Sequence, residues 1–209
     1  MSGFFIQNLW EHPAFFWSTA LIVIFSICCH EYFHARAALY FGDRTAADRG
    51  HLTLNPLRQM GMWSLIMFAM VGLAWGQVPV DPRQLQHRHG AAAVAFAGPF
   101  ANLLLTIVFC VLTAVGLRYA GANHFGVEML FSGAVINLVL FFLNMLPVPG
   151  FDGFAVLSDF LPRMELPKSE FLKGTFVVVI LLVFLFIGQL YAVSEYLNVK
   201  LIRLLQMVI

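Results

Sequence analysis

Pro13-Ala-Phe-Phe-Trp-Ser-Thr-Ala-Leu-Ile-Val-Ile-Phe-Ser-Ile-Cys-Cys29 runs directly into His30-Glu31-Tyr32-Phe33-His34. The 17 residues from Pro13 to Cys29 carry no charge, yet a membrane-spanning helix needs about 20 apolar residues. The helix therefore has to continue through His30 to about Tyr40, with Glu31 and His34 facing protein rather than lipid. The rest of the chain agrees with a membrane setting. Of 209 residues, 60% are hydrophobic and 11% charged, against roughly 45–50% and about 25% in soluble domains. Four more charge-free windows follow, at Gln59 to Val80, His89 to Leu117, Met129 to Phe151 and Gly174 to Ser194. The second is interrupted by Gly61, Gly72, Gly76 and Pro79, which predicts a re-entrant or broken segment, with a full span as the alternative. The expected fold is an all-α polytopic membrane protein of five to six segments, one of them re-entrant, with a buried metal site between helices.

Charge supplies an expected orientation. Residues 1–13 contain no Lys or Arg, whereas Arg36, Arg44, Arg49 and Arg58 follow the first segment, so the positive-inside rule puts the N-terminus outside. Arg83 and Arg88, and later Arg163, Lys168 and Lys173, then fall on the cytoplasmic side. Lys200 and Arg203 among Leu, Ile and Met in residues 195–209 read as an interfacial amphipathic tail. The whole of 1–209 is expected to be one domain, with core motifs over about 14–160 and the C-terminal helix and tail over about 174–209. No basic n-region or small-residue cleavage site flanks the first stretch, so it is expected to be retained as a membrane helix. The net charge of +1 gives no field for nucleic acid. Cys28, Cys29 and Cys110 lie in apolar segments without C-x-x-C spacing and read as small buried hydrophobes.

His30-Glu31-x-x-His34 carries the chemistry. Histidines at i and i+4 share one helix face and can reach one ion, while the intervening carboxylate can approach a water beside it. Zinc held by three protein ligands lowers the pKa of such a water to about 7, with Glu31 as general base. The bland alternative is a pair of packed histidines with Glu31 paired to a residue such as Arg36. Candidates for a third ligand are His12, His51, His87, His89, His124 and Asp152. Orientation selects Asp152, on the same side as His30 and His34, in Asn144-Met-Leu-Pro147-Val-Pro149-Gly-Phe-Asp152-Gly153. Pro147, Pro149 and Gly150 would break the helix and let the carboxylate turn inward. Read alone, that stretch is also an ordinary helix stop and turn.

His30-Glu31-x-x-His34 together with Asn144-x-x-Pro147-x-Pro149-x-x-Asp152-Gly153 resembles the site-2 protease family of intramembrane zinc metalloproteases, peptidase family M50. Phe41-Gly42-Asp43, Leu52-Thr-Leu-Asn55-Pro56-Leu57, Val78-Pro-Val-Asp-Pro82 and Ala97-Gly98-Pro99-Phe-Ala-Asn102 recur in the same order in its short members. The resemblance implies one zinc per chain on His30, His34 and Asp152, with Glu31 activating water. It places Asn102 and Asn144 near the site, where amides can hold substrate backbone or an oxyanion; interhelical hydrogen bonding is the alternative for each. Two departures stand out. Arg58-Gln59-Met60-Gly61-Met62 follows Asn55-Pro56-Leu57 where many relatives carry a His and an Asp-Pro pair, and Gln77 stands where many have a Lys before Pro-Val-Pro-Val.

The implied activity is hydrolysis of a peptide bond in or near a transmembrane helix of another protein, within a bacterial inner membrane and toward the cytoplasm. Such a substrate must unwind locally to expose a carbonyl, and residues 77–82 could pair with it by β-augmentation. The rival readings are a metal transporter or permease that uses the same ligands as a transit site, and an inactive relative that only binds helices. The intact Glu31 argues against the second, and the lack of repeat symmetry against the first.

Overall fold

The computed structural model describes residues 5–161 and 169–208, and among these every regular element is helical. The chain divides into two compact units, Met1–Gln86 and His87–Ile209.

In the first unit, helix α1 spans Pro13–Tyr40. Proline at its first turn has no N–H to leave unpaired and is already set to a helical φ. Its 28 residues extend about 42 Å at 1.5 Å per residue, enough to cross the hydrocarbon layer. Ile27, His30, Glu31, His34, Ala35 and Ala38 are all buried; their spacing of three and four makes them one stripe, so the ionisable groups avoid lipid as expected. Phe41-Gly42-Asp43 then ends the helix. Gly42 adopts φ +104°, and the Gly42 and Asp43 amides donate to Leu39 O (3.2 Å) and Ala38 O (2.9 Å). This paired return closes the last carbonyls and needs a left-handed residue at its turn.

Helix α2, Gly61–Val71, has only 11 residues, about 16 Å, which is too short to cross about 30 Å of hydrocarbon. Gly72, at φ +80°, stops it, and no regular element follows until Pro82. The segment expected to be broken is thus a short helix followed by extended chain. Ile27, Cys28 and Met60 form the buried centre, with Val23, Ile24, Leu65 and Ala74 packed around them. The Phe5 ring lies 4.9 Å from that of Phe16 and 5.2 Å from that of Phe68.

The second unit holds α3 (Gly90–Tyr119), α4 (Phe125–Asn144), α5 (Asp152–Phe160) and α6 (Ser169–Gln206). Small or short polar residues recur along the buried side of α3, at Gly98, Ala101, Asn102, Thr106, Cys110, Thr113 and Ala114. These let α4 approach closely, the usual basis of helix association in lipid. Gly133 on α4 takes the Phe109 ring where a side chain would clash. The helices α1, α3 and α4 are long and apolar enough to cross a membrane.

The fourth helix is Phe125–Asn144, beginning four residues ahead of the charge-free window with Glu128 in its first turn; it ends before Pro147, which has no N–H with which to continue it, as the prolines led one to expect, and Met145 and Leu146 close the end by donating to Phe141 O and Leu143 O. Two expectations need correction. Residues 195–209 are not a separate tail, because α6 runs unbroken to Gln206. Its Ser194, Asn198 and Ile202 are buried, one helical face that includes the residue packed against Cys110, Ala114 and Ala134. Cys110 does more than fill space: its Sγ donates to Asn198 Oδ1 at 3.0 Å. The charges Arg163 and Lys168, used for orientation, lie outside the described residues.

Candidate metal centre

His30 and His34 come from consecutive turns of α1, and their Nε2 atoms stand 3.0 Å apart. The rings meet edge to face, with centroids 4.6 Å apart. Two nitrogens bound to one tetrahedral ion at 2.0–2.1 Å would be separated by about 3.3 Å, so the pair fits an ion with only a small opening. Both rings are buried, as is Glu31 between them. His12, at the start of α1, is about 27 Å up the helix from His30 at 1.5 Å per residue and cannot join them.

The extended segment after α2 is held against this helix by polar anchors. Ser64 Oγ donates to Trp75 O (2.6 Å) and accepts from Trp75 N (2.9 Å). Gln77 N donates to Gln59 O at 2.9 Å. Asp81 N donates to Asp43 Oδ2 at 2.7 Å, while Asp43 Oδ1 accepts from Thr45 N at 2.8 Å. Between these anchors, Gly76 comes so close to Glu31 that a Cβ there would overlap the Glu31 Oε1, Cδ and Cγ atoms. Only glycine lets the backbone pass.

Asp43 is fully buried. Burial alone would raise its pKa, but hydrogen bonds from the Thr45 side chain and backbone and from the Asp81 backbone outweigh burial and hold it below 3.8. It stays ionised, as a charged clasp between the end of α1 and the 78–82 stretch.

Gln59 is likewise fully buried. Its Nε2 donates to His51 O (2.8 Å) and Thr53 O (2.5 Å), and its Oε1 lies 3.3 Å from His51 Nδ1. Sequence reasoning passed over Gln59, Ser64 and Gly76 as parts of the site's frame. The available signal was a set of polar and glycine residues inside an otherwise apolar window.

The other sequence-selected residues belong to the second unit. Asp152 is the first residue of α5, where its charge suits the helix N-terminus. Gly153 beside it presses on the Met145 and Leu146 carbonyls, leaving no room for a side chain. Asn102 Nδ2 donates to Asn137 Oδ1 at 3.1 Å with both residues fully buried, the interhelical use weighed above. Asn144 Nδ2 donates to Leu140 O one turn back, at 3.0 Å. Among the remaining histidines, His51 binds Gln59, His89 Nδ1 meets Asp159 Oδ2 at 2.9 Å, and His124 caps α4 through Gly126 N at 3.2 Å.

Comparison with known proteins adds three findings. The model of peptidase family M50 matches residues 18–129. YwhC of Bacillus subtilis is 33% identical over 160 residues, covering 72% of this chain and 73% of that protein. Rip2 of Mycolicibacterium smegmatis is 34% identical over 172 residues, or 77% of this chain and 64% of its own length. Rip2 of Mycobacterium tuberculosis strain H37Rv is 33% identical over 166 residues, or 76% and 62%. All three carry zinc metalloprotease in their names. The match spans a little under two thirds of the mycobacterial proteins. No solved structure matches the chain.

Proposed function

The chain belongs to peptidase family M50, and from that premise we propose that it hydrolyses peptide bonds in or near transmembrane helices of other membrane proteins, with zinc on His30, His34 and Asp152. It is an integral membrane zinc metalloprotease. The observation that carries the reading is a buried carboxylate between two buried histidines whose Nε2 atoms already stand at near-ligand spacing. Asp152 supplies an anionic oxygen as third ligand. On this reading residues 1–209 act as a single functional domain.

Zinc, when bound, acidifies a neighbouring water and polarises the scissile carbonyl. Glu31 takes the proton from that water as its oxygen bonds to the carbonyl carbon, then delivers it to the departing amide nitrogen as the C–N bond breaks. Asn144 is the amide assigned to the substrate backbone or the developing oxyanion, whereas Asn102, fully buried and donating to Asn137 Oδ1, holds α3 against α4.

The extended stretch receives the unwound substrate. Trp75, Gln77 and Asp81 spend their N–H groups on Ser64, Gln59 and Asp43. Among the described residues, the N–H groups of Gly76, Val78 and Val80 donate to no protein acceptor, so the alternate edge remains for main-chain pairing. Charge distribution puts the N-terminus outside a bacterial inner membrane and the site toward the cytoplasm.

Glu31→Gln in the full-length protein tests the assignment. Cleavage of a membrane-embedded substrate is expected to vanish while bound zinc persists. Undiminished cleavage would remove Glu31 from the mechanism.

A further inference from the structure

Away from the protease site, α3, α4 and α6 line an open cavity of about 270 Å³ in the second unit. Its wall is apolar, with Leu117 from α3, Val127 and Phe131 from α4 and Ile202 from α6. It also has Glu128 in the first turn of α4 and Arg203 in the last turn of α6. Both charged residues are exposed, and among the described residues neither makes an ion pair. The cavity lies where these helices end, at Tyr119, Phe125 and Gln206. Exposed Tyr119 and Phe125 there are side chains suited to the headgroup level of a bilayer.

We propose that this cavity binds a zwitterionic phospholipid whose headgroup carries a primary ammonium. One anion and one cation beside an apolar floor match such a headgroup in sign. The Glu128 carboxylate accepts hydrogen bonds from the ammonium, and the Arg203 guanidinium donates to the phosphate, where its fork geometry suits two oxygens. Leu117, Val127, Phe131 and Ile202 take the glycerol and the first acyl carbons. Each charge also suits the dipole of its own helix. That explains its place on that helix end, but not why two opposite charges share one apolar-walled cavity without pairing. A purely anionic lipid would face Glu128 without a counter-charge, and a quaternary ammonium has no N–H to donate to it.

The test uses the full-length chain, purified in detergent and stripped of lipid. It is titrated with phosphatidylethanolamine, its N-methylated series through phosphatidylcholine, and phosphatidylglycerol, all with the same acyl chains. Binding is read by native mass spectrometry and by the rise in melting temperature. Phosphatidylethanolamine is expected to bind best and to weaken stepwise with each added methyl, a comparison that needs no variant. Glu128→Gln should weaken it about tenfold, the effect of losing one charge-assisted hydrogen bond, and strengthen phosphatidylglycerol, which then no longer faces an uncompensated carboxylate. Arg203→Gln should weaken all of these lipids. Equal binding of phosphatidylethanolamine and phosphatidylcholine, or a Glu128→Gln protein that still prefers the ammonium headgroup, would reduce the cavity to ordinary annular contact and overturn the proposal.

Discussion

Gly76→Ala is the smallest change that reaches Glu31 without touching a proposed ligand. Gly76 is not among the glycines with positive φ, so the alanine backbone itself is unstrained and the whole effect comes from the added methyl. That methyl would sit under 3.0 Å from three atoms of Glu31, a distance real Cβ contacts essentially never show. Restoring ordinary van der Waals separation requires the carboxylate to retreat by about 1 Å. The extended segment cannot retreat instead without loosening the Trp75 bonds to Ser64 and the Gln77 bond to Gln59. A general base displaced by about 1 Å costs on the order of a hundredfold in rate, or about 2.7 kcal/mol of barrier. Overpacking costs a further ~1–3 kcal/mol of stability. The assay is cleavage of a model transmembrane substrate in detergent or proteoliposomes, with zinc content and melting temperature measured on the same preparation. A folded, zinc-loaded Gly76→Ala protein with cleavage down about a hundredfold is expected. Wild-type cleavage would show that the 72–81 stretch does not confine Glu31 and would refute the reasoning.

Two further outcomes follow from local geometry. Gly153→Ala places a methyl against the Met145 and Leu146 backbone carbonyls, which cannot swing aside as a side chain can. A loss of ~1–3 kcal/mol is expected in reversible unfolding, and an unchanged midpoint would count against this packing. Asp43 has its pKa held below 3.8 in the folded chain, so its ionised form contributes stability above that pH, lost as pH falls through the lower folded value. Asp43→Asn should therefore lower stability at neutral pH and flatten the acid limb of a pH–stability curve. Parallel curves for the two proteins would show that the clasp carries no such linkage.

Much of the fold was legible because lipid makes charge placement expensive. The run ending at His30 demanded a helix through Tyr40, and the structure has it. The glycines of the second window announced a re-entrant or broken segment, and the structure has there an 11-residue helix that Gly72 ends. The end of the fourth helix was legible in Pro147, Pro149 and Gly150 although apolar content continues past Asn144, because a proline lacks the N–H that the helix needs; its start was not, since Glu128 is tolerated in the first turn. The C-terminal tail was misjudged for a related reason. Lys200 and Arg203 suggested an interface, whereas burial of Ser194, Asn198 and Ile202 on one face depends on small residues of α3 and α4 that are distant in sequence. At the site, His30, Glu31 and His34 were readable from spacing alone. Gln59, Ser64 and Gly76 were not, since their importance lies in carbonyls, hydroxyls and a missing methyl that only the folded chain brings together. Asn102 kept two readings in the sequence, and its bond to Asn137 gives it a definite structural task.

Zinc content of the full-length, detergent-purified protein is the most direct measurement of all. Wild type is compared with His34→Ala and Asp152→Ala, and cleavage is scored on the same samples. One zinc per wild-type chain is expected, lost together with cleavage in both variants. A wild-type protein that cleaves without zinc, or an Asp152→Ala protein that keeps a full equivalent of zinc, would contradict the three-ligand centre.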